Sequence, residues 1–174
     1  MDSIDFPGVV FRILSAKDLP QFLRIRNSVS KFLHDGRNFD LQECQTWFLT
    51  NTNTYYLVDS INGDTLGYFR TARNSKASSS IEIGLDLDPK YHGRKWAKHI
   101  YRHFIMDVLQ DLDVDTITLR VLKDNVRAIN LYHSMGLSKI SETSLDFELR
   151  ITMADLLDNL NHWSTSLEHV SEDE

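Results

Sequence analysis

The residues best suited to chemistry lie in one stretch, Ile81 to Ala97. Its first half alternates with the period of a strand. Ile81, Ile83, Leu85 and Leu87 point one way; Glu82, Gly84, Asp86 and Asp88 point the other. Pro89 ends the strand, and Pro89-Lys90-Tyr91-His92-Gly93-Arg94-Lys95-Trp96-Ala97 turns into a helix. Backbone N–H groups at a helix start have no intrahelical partner. With the helix dipole they attract an anion, at about 0.3–1 kcal/mol per charge in an exposed setting. Arg94 and Lys95 add fixed positive charge, so a diphosphate is a natural guest. A plain basic strand-to-helix loop is the other reading of this stretch taken alone. Glu82 is a candidate base on the polar strand face, although a carboxylate there is more often just solvated. Asp86 and Asp88 read as structural or solvated side chains.

A second segment, Asn125-Val126-Arg127-Ala128-Ile129-Asn130-Leu131-Tyr132-His133-Ser134-Met135-Gly136-Leu137, follows the next strand at once. It reads as a helix closed by Gly136 at a left-handed cap. Tyr132 sits at helical spacing with Ala128 and Leu131, where a ring serves either a core or a site.

Other elements must position these two segments. Val9 to Ile13 reads as a first strand. Ser15 or Asp18 then caps a helix with Pro20 in its first turn. A short helical piece is expected near Lys31 to His34. Asp40 and Glu43 form a capping box before a helix that turns Cys44, Trp47 and Phe48 to one side. Tyr55 to Asp59 and Leu66 to Thr71 flank Ile61-Asn62-Gly63-Asp64, a hairpin signal. Ala97 to Leu109 carries an apolar stripe of Ala97, Ile100, Tyr101, Phe104, Ile105, Val108 and Leu109 at helical period. Thr116 to Val121, Ser138 to Glu142 and Phe147 to Met153 read as strands. Leu156, Leu157, Leu160 and Trp163 line a last amphipathic segment, expected to pack on the domain, with a dimer contact as the alternative. The strand–loop–helix–strand run in the middle implies a right-handed parallel crossover, and the flanking hairpins should be antiparallel.

Together the two segments resemble the two main motifs of the GNAT acetyltransferase superfamily. The first is similar to the family's strand-Pro-x-x-[Gln/Arg]-Gly-x-Gly-x-[Gly/Ala] turn. The second is similar to its Asn-x-x-Ala-x-x-Leu-Tyr-x-x-x-Gly-Phe helix. The order of elements resembles the family from about Val9 to Met153. The Glu82-Ile83-Gly84 start looks most like the branch with ribosomal-protein N-terminal and amino-sugar acetyltransferases. The sequence departs from the pattern at His92, where Gln or Arg is usual, at Lys95, where Gly is preferred, and at Leu137, where Phe is usual. A helical backbone at Lys95 would accept that residue, and Leu137 is a packing change.

The resemblance implies an α/β (mixed α+β), three-layer fold. Its centre is a mixed, largely antiparallel sheet of about six or seven strands, with splayed central strands and flanking helices. It implies acetyl-coenzyme A as co-substrate and no metal. The backbone of Leu85, Asp86 and Leu87 would bond the pantetheine arm. The amides of His92, Gly93, Arg94, Lys95, Trp96 and Ala97 would cradle the pyrophosphate. Asn125 would contact the cofactor, and Tyr132 would be the general acid at the thioester sulfur. Glu82 is the expected base.

The chemistry this implies needs few groups. An alkyl ammonium of pKa near ~10.4 must lose a proton before its nitrogen can attack, at a cost of about 4 kcal/mol at neutral pH. A positioned base recovers part of that, typically ~10²–10⁴-fold in rate. The acceptor is expected to be a primary amine, on a small molecule or on a protein N-terminus or lysine. A module that binds acyl-coenzyme A without catalysis, acting through a protein partner, is the main rival. A pure interaction domain would need both motifs to be accidental.

Composition agrees with these readings. The chain has 174 residues and a formal net charge of −6. Positions 1–163 read as one domain and 164–174 as an acidic, frayed tail; Asn74 to Ser80 reads as a surface loop. A diffuse acidic balance disfavours nucleic acid and anionic membrane as partners. The single cysteine, Cys44, excludes an internal disulfide and suits a reducing, cytoplasmic compartment. It is expected to be buried rather than reactive. No signal peptide or membrane span is apparent. His99 and His103 lie four apart but lack a third ligand, and are expected to be exposed. A monomer or homodimer is expected.

Overall fold

A computed structural model describes residues 5–73 and 78–169, and every strand expected above is present, with ends shifted by a residue or two at most. The chain forms two compact units. One comprises Met1–Lys76 with Ile81–Trp96; the other comprises Ala77–Ser80 with Ala97–Glu174.

In the first unit four strands pair antiparallel in chain order: β1 (Val9–Ile13), β2 (Thr54–Ser60), β3 (Thr65–Ala72) and β4 (Ser80–Leu87). The expected hairpin joins β2 to β3, with Gly63 at φ 95°. Ser15 and Asp18 make reciprocal capping bonds before α1 (Leu19–Ser28), whose first turn holds Pro20. Arg12 ties β1 to this start, 2.7 Å from Asp18, and to β2, 2.5 Å from Asp59. The helical piece expected near Lys31 to His34 is a single 3₁₀ turn, Ser30–Phe32. Asp40 and Glu43 form the expected capping box on α2 (Leu41–Thr50).

The register decides what shares a face. Tyr55 is opposite Arg70, Leu57 opposite Tyr68, Tyr68 opposite Asp86 and Ala72 opposite Glu82. Directly opposed residues project to the same side. That side meets α1 and α2 through Leu19, Phe22, Ile25, Cys44, Leu57 and Tyr68. Cys44 is fully buried, and burial pushes its thiol above its ordinary value, as expected for an inert cysteine. Phe22 stacks on Trp47 at 5.2 Å between ring centres and meets Tyr68 at 4.7 Å.

In the second unit three strands run β5 (Thr116–Leu122), β7 (Asp146–Thr152), β6 (Ser138–Glu142), again antiparallel. The stripe expected as one helix from Ala97 to Leu109 divides. It is α3 (Ala97–Phe104) followed by a π turn, Ile105–Leu109, closed by the Gln110 N–H on the Ile105 carbonyl. Phe104, Ile105 and Leu109 are all buried through this change of period. Then come α4 (Val126–Ser134) and α5 (Met153–His169). Leu156 and Leu160 are buried where α5 meets α3 and β7, as expected for packing on the unit. The helix continues through positions read as a frayed tail, and 170–174 lie outside the described residues, as do 74–77 of the expected loop. Among the described residues the fold is mixed α/β, with seven mostly antiparallel strands and five α-helices. Among the described residues no helix is long and apolar enough to cross a membrane.

Candidate active site

In the first unit the site residues belong to β4 and the turn after it. Asp88 follows the strand in a buried position and caps the next turn. Its carboxylate accepts from the Lys90 amide at 3.1 Å and from Arg24 at 2.6 Å. Burial alone would raise its pKa; those two donors overcome the penalty and hold it below the ordinary value. Asp88 is structural, as expected. Pro89–Tyr91 makes a 3₁₀ turn. The His92 ring then reaches back, and its Nε2 donates to the Leu87 carbonyl at 2.9 Å. A carbonyl only accepts, so this bond fixes the proton on Nε2.

Beyond His92 the backbone alternates in hand. Gly93 has φ 80° and Lys95 φ 61°, while Arg94 and Trp96 keep negative φ. Alternation of this kind turns successive N–H groups inward, a concavity suited to an anion. Lys95 therefore lacks the helical backbone that would accept a lysine at this position. It takes the left-handed conformation that glycine adopts freely and that costs a side-chain-bearing residue about 1–2 kcal/mol. A glycine would take this backbone without that cost. Trp96 is buried, stacked on Tyr91 at 5.6 Å and edge-on to Phe6 at 6.2 Å, so its indole braces the turn. The Arg94 guanidinium lies 5.0 Å from the Trp96 ring.

The polar face of β4 is organised differently from expectation. Glu82, the expected base, is ion-paired with Arg70 on β3. Burial tends to lower the Arg70 pKa, but the hydrogen bond and charge of Glu82 hold it above the ordinary value. Asp86, expected to be structural or solvated, is half-buried and accepts a hydrogen bond from the Tyr68 hydroxyl. Loss of hydration pushes its carboxyl up to about 6; the Tyr68 bond and the charges of Arg70 and Arg26 oppose that rise. Tyr68 is itself driven well above its ordinary value by burial and by the Asp86 charge. The backbone of Leu85, Asp86 and Leu87 pairs with β3 on one edge.

The second unit holds the two residues expected from the helix motif. Asn125 is the N-cap of α4, its side-chain oxygen accepting from the Ala128 amide at 3.2 Å. An amide side chain that caps through its oxygen keeps its NH₂ as a donor. Tyr132 is 7% exposed, and its hydroxyl accepts from the Tyr101 hydroxyl on α3 at 3.4 Å. Past Tyr132 the helix closes at Gly136, φ 92°. The Gly136 N–H bonds the His133 carbonyl and the Leu137 N–H bonds the Tyr132 carbonyl, satisfying the last orphan acceptors. Leu137 is buried, as a packing residue should be.

His99 is not exposed as expected. It is half-buried edge-on against Trp163, 4.6 Å between ring centres, because α5 covers that side of α3. Among the described residues no group of three or more His, Cys, Asp or Glu side chains could hold a metal ion.

Sequence reasoning missed Tyr68, Arg70 and Tyr101. Tyr68 and Arg70 share a face with Asp86 and Glu82 only through strand register, which alternation within one strand does not reveal. Tyr101 lies in an apolar stripe, and its hydroxyl was the one available signal.

The model of the acetyltransferase (GNAT) family matches residues 21–137, a match that runs through both units. No curated protein matches the sequence. Among solved structures, the chain is similar to spermidine N-acetyltransferase from Vibrio cholerae in complex with CoA and spermine. The identity is 17% and the TM-score 0.72, covering 86% of this chain and 98% of that one. A domain from Methanocaldococcus jannaschii is 20% identical with TM-score 0.67, over 83% and 98% of the two chains. Apo FdhC, a nucleotide-linked sugar GNAT, is 15% identical with TM-score 0.70, over 91% and 94%. At these identities the likeness concerns the fold.

Proposed function

Because the chain belongs to the GNAT acetyltransferase family, we propose that it transfers an acetyl group from acetyl-coenzyme A to a primary amine by direct attack in a ternary complex. The observation that carries the reading is the Asp86 carboxyl, half-buried on β4, bonded to Tyr68 and poised at about 6. A carboxyl with that pKa is mainly ionised at neutral pH yet holds a proton far better than an ordinary one, the property a general base needs. Glu82 shares the strand face but is committed to Arg70, so Asp86 takes the base role expected of Glu82.

In this reading the amides of His92 to Ala97 hold the pyrophosphate, with Arg94 and Lys95 as fixed charge. The backbone of Leu85 to Leu87 bonds the pantetheine arm, and Asn125 contacts the cofactor through the donor its cap leaves. The amine nitrogen attacks the thioester carbonyl carbon and gives up its proton to Asp86. The C–S bond breaks, its electron pair goes to sulfur, and Tyr132 protonates the thiolate. The products are an amide and the free thiol; Tyr132 regains a proton and Asp86 releases one through solvent.

The solved neighbour bound to CoA and spermine makes polyamines the first acceptors to screen, beside amino sugars, peptide N-termini and lysine. A cytoplasmic monomer or homodimer belongs to the same reading, although a spermidine N-acetyltransferase of similar fold is dodecameric. Light scattering measures the assembly directly.

The rival is a module that binds acyl-coenzyme A without turnover. The left-handed Lys95 at a glycine position favours it. Calorimetric titration with acetyl-coenzyme A, beside Gly93→Glu, tests both. Micromolar binding lost in the variant, with turnover on any amine, supports the transferase. Binding with no transfer across the amine panel supports the module.

A further inference from the structure

We propose that Tyr101 is a positioning residue for Tyr132, its hydroxyl supporting the Tyr132 oxygen while that residue gives up its proton. The inference rests on the acid role given to Tyr132 above, and it concerns the second unit alone.

Tyr101 is fully buried. Its companions on the α3 stripe, Ile100, Phe104, Ile105 and Leu109, are apolar, so packing there asks only for a ring or an aliphatic chain. A phenol hydroxyl in such a place is costly unless it has a partner. Tyr101 donates to the Tyr132 oxygen at 3.4 Å, with the two rings edge to face at 87° and 6.2 Å between centres. This is long for a hydroxyl pair, and bonds of this kind tighten when a site is loaded.

A hydroxyl has one proton to give and two lone pairs to receive. Accepting from Tyr101 on one lone pair leaves Tyr132 its own proton, the one that the acid role assigns to the thiolate. When that proton leaves, the Tyr132 oxygen becomes an anion in a buried position. The Tyr101 O–H is already aimed at it, and a hydrogen bond to a charged oxygen is roughly twice as strong as one to a neutral oxygen. The support therefore grows along the reaction coordinate, as differential stabilisation requires.

The surrounding contacts hold this pair in place. Lys98 on α3 donates to the Ser134 carbonyl at 3.3 Å, joining the same two helices near the Tyr132 turn. Asn159 on α5 donates to the Met135 carbonyl at 3.1 Å. Several ionisable groups on these elements have partners of their own: Lys98 is committed to that carbonyl and His133 to the carbonyl of Leu137 at 3.2 Å. Arg102 faces Asn161, and His99 faces Trp163.

The test compares wild type, Tyr101→Phe and Tyr132→Phe across pH, with acetyl-coenzyme A and an accepted amine. Tyr101→Phe should lower kcat about five- to tenfold, leave KM for acetyl-coenzyme A unchanged, and move the alkaline limb of the profile upward. In parallel, ¹³C-tyrosine NMR follows the Tyr132 ring carbon bearing oxygen, assigned by its loss in Tyr132→Phe. That resonance should titrate at higher pH in Tyr101→Phe. Limb position and titration midpoint do not depend on the folded fraction, so partial unfolding does not obscure them. A uniform fall at every pH, or no change, with an unmoved resonance overturns the pairing and leaves the acid role of Tyr132 standing. Unchanged turnover in Tyr132→Phe overturns the acid role itself.

Discussion

The hydroxyl of Tyr68 donates to the carboxyl of Asp86, its direct partner across β3 and β4. The pair keeps a carboxylate in a poorly hydrated place at a pKa of about 6. Asp86→Asn should therefore cut turnover by about 10²–10⁴-fold and abolish an acid limb of kcat/KM centred near that value.

Stability should move the other way in the same variant. The folded pKa of Asp86 is raised, so its ionised form destabilises the fold above about 6 and the penalty vanishes below the unfolded value of 3.8. Thermal melts of Asp86→Asn should show a gain of about 1–3 kcal/mol at neutral pH and none near pH 3.5. A loss at neutral pH would contradict the origin assigned to the shift.

Glu82 and Arg70 form a part-buried ion pair, and neither is given a proton to carry. Glu82→Gln should cost about 1–2 kcal/mol in urea unfolding, because a half-buried guanidinium loses its counter-charge. The acid limb should persist, with kcat within about threefold of wild type. A vanished limb would return the base role to Glu82.

The left-handed Lys95 separates strain from charge. Lys95→Gly should raise stability by about 0.5–1 kcal/mol, whereas Lys95→Ala should leave it near wild type, since alanine meets the same backbone strain. Any loss of acetyl-coenzyme A affinity common to both variants, read by calorimetry, measures the lysine charge.

His99 is held below its ordinary value by burial first, then by the charges of His103 and Arg102. Its folded pKa is depressed, so stability falls as the pH drops from about 6.5, where the unfolded state takes up a proton that the folded state resists. His99→Gln should flatten the decline in melting temperature between pH 7 and 5. An unchanged slope would remove His99 as its source.

Much of this was legible in the chain itself. Local patterns named every strand, the capping box of Asp40 and Glu43, and the helix that ends at Gly136, because period, caps and turn residues act over a few neighbouring positions. The resemblance of two motifs pointed to the family before any coordinate. The turn at Pro89 to Ala97 was marked by its sequence, down to the odd residue, Lys95. Its left-handed backbone was not, since φ at one position depends on how Trp96 and Tyr91 pack around the turn.

The choice between Glu82 and Asp86 lay beyond the sequence. Two carboxylates four residues apart on one strand face look alike in isolation. What separates them is the register of β3, which sets Arg70 beside one and Tyr68 beside the other, and the α1 and α2 layer that withdraws water from Asp86. Tyr101 and Tyr132, 31 positions apart, likewise meet only because two helices dock. The chain determined which chemistries were available; tertiary packing decided which groups are charged, paired and aimed, since hydration and hydrogen-bond partners are properties of the assembled fold.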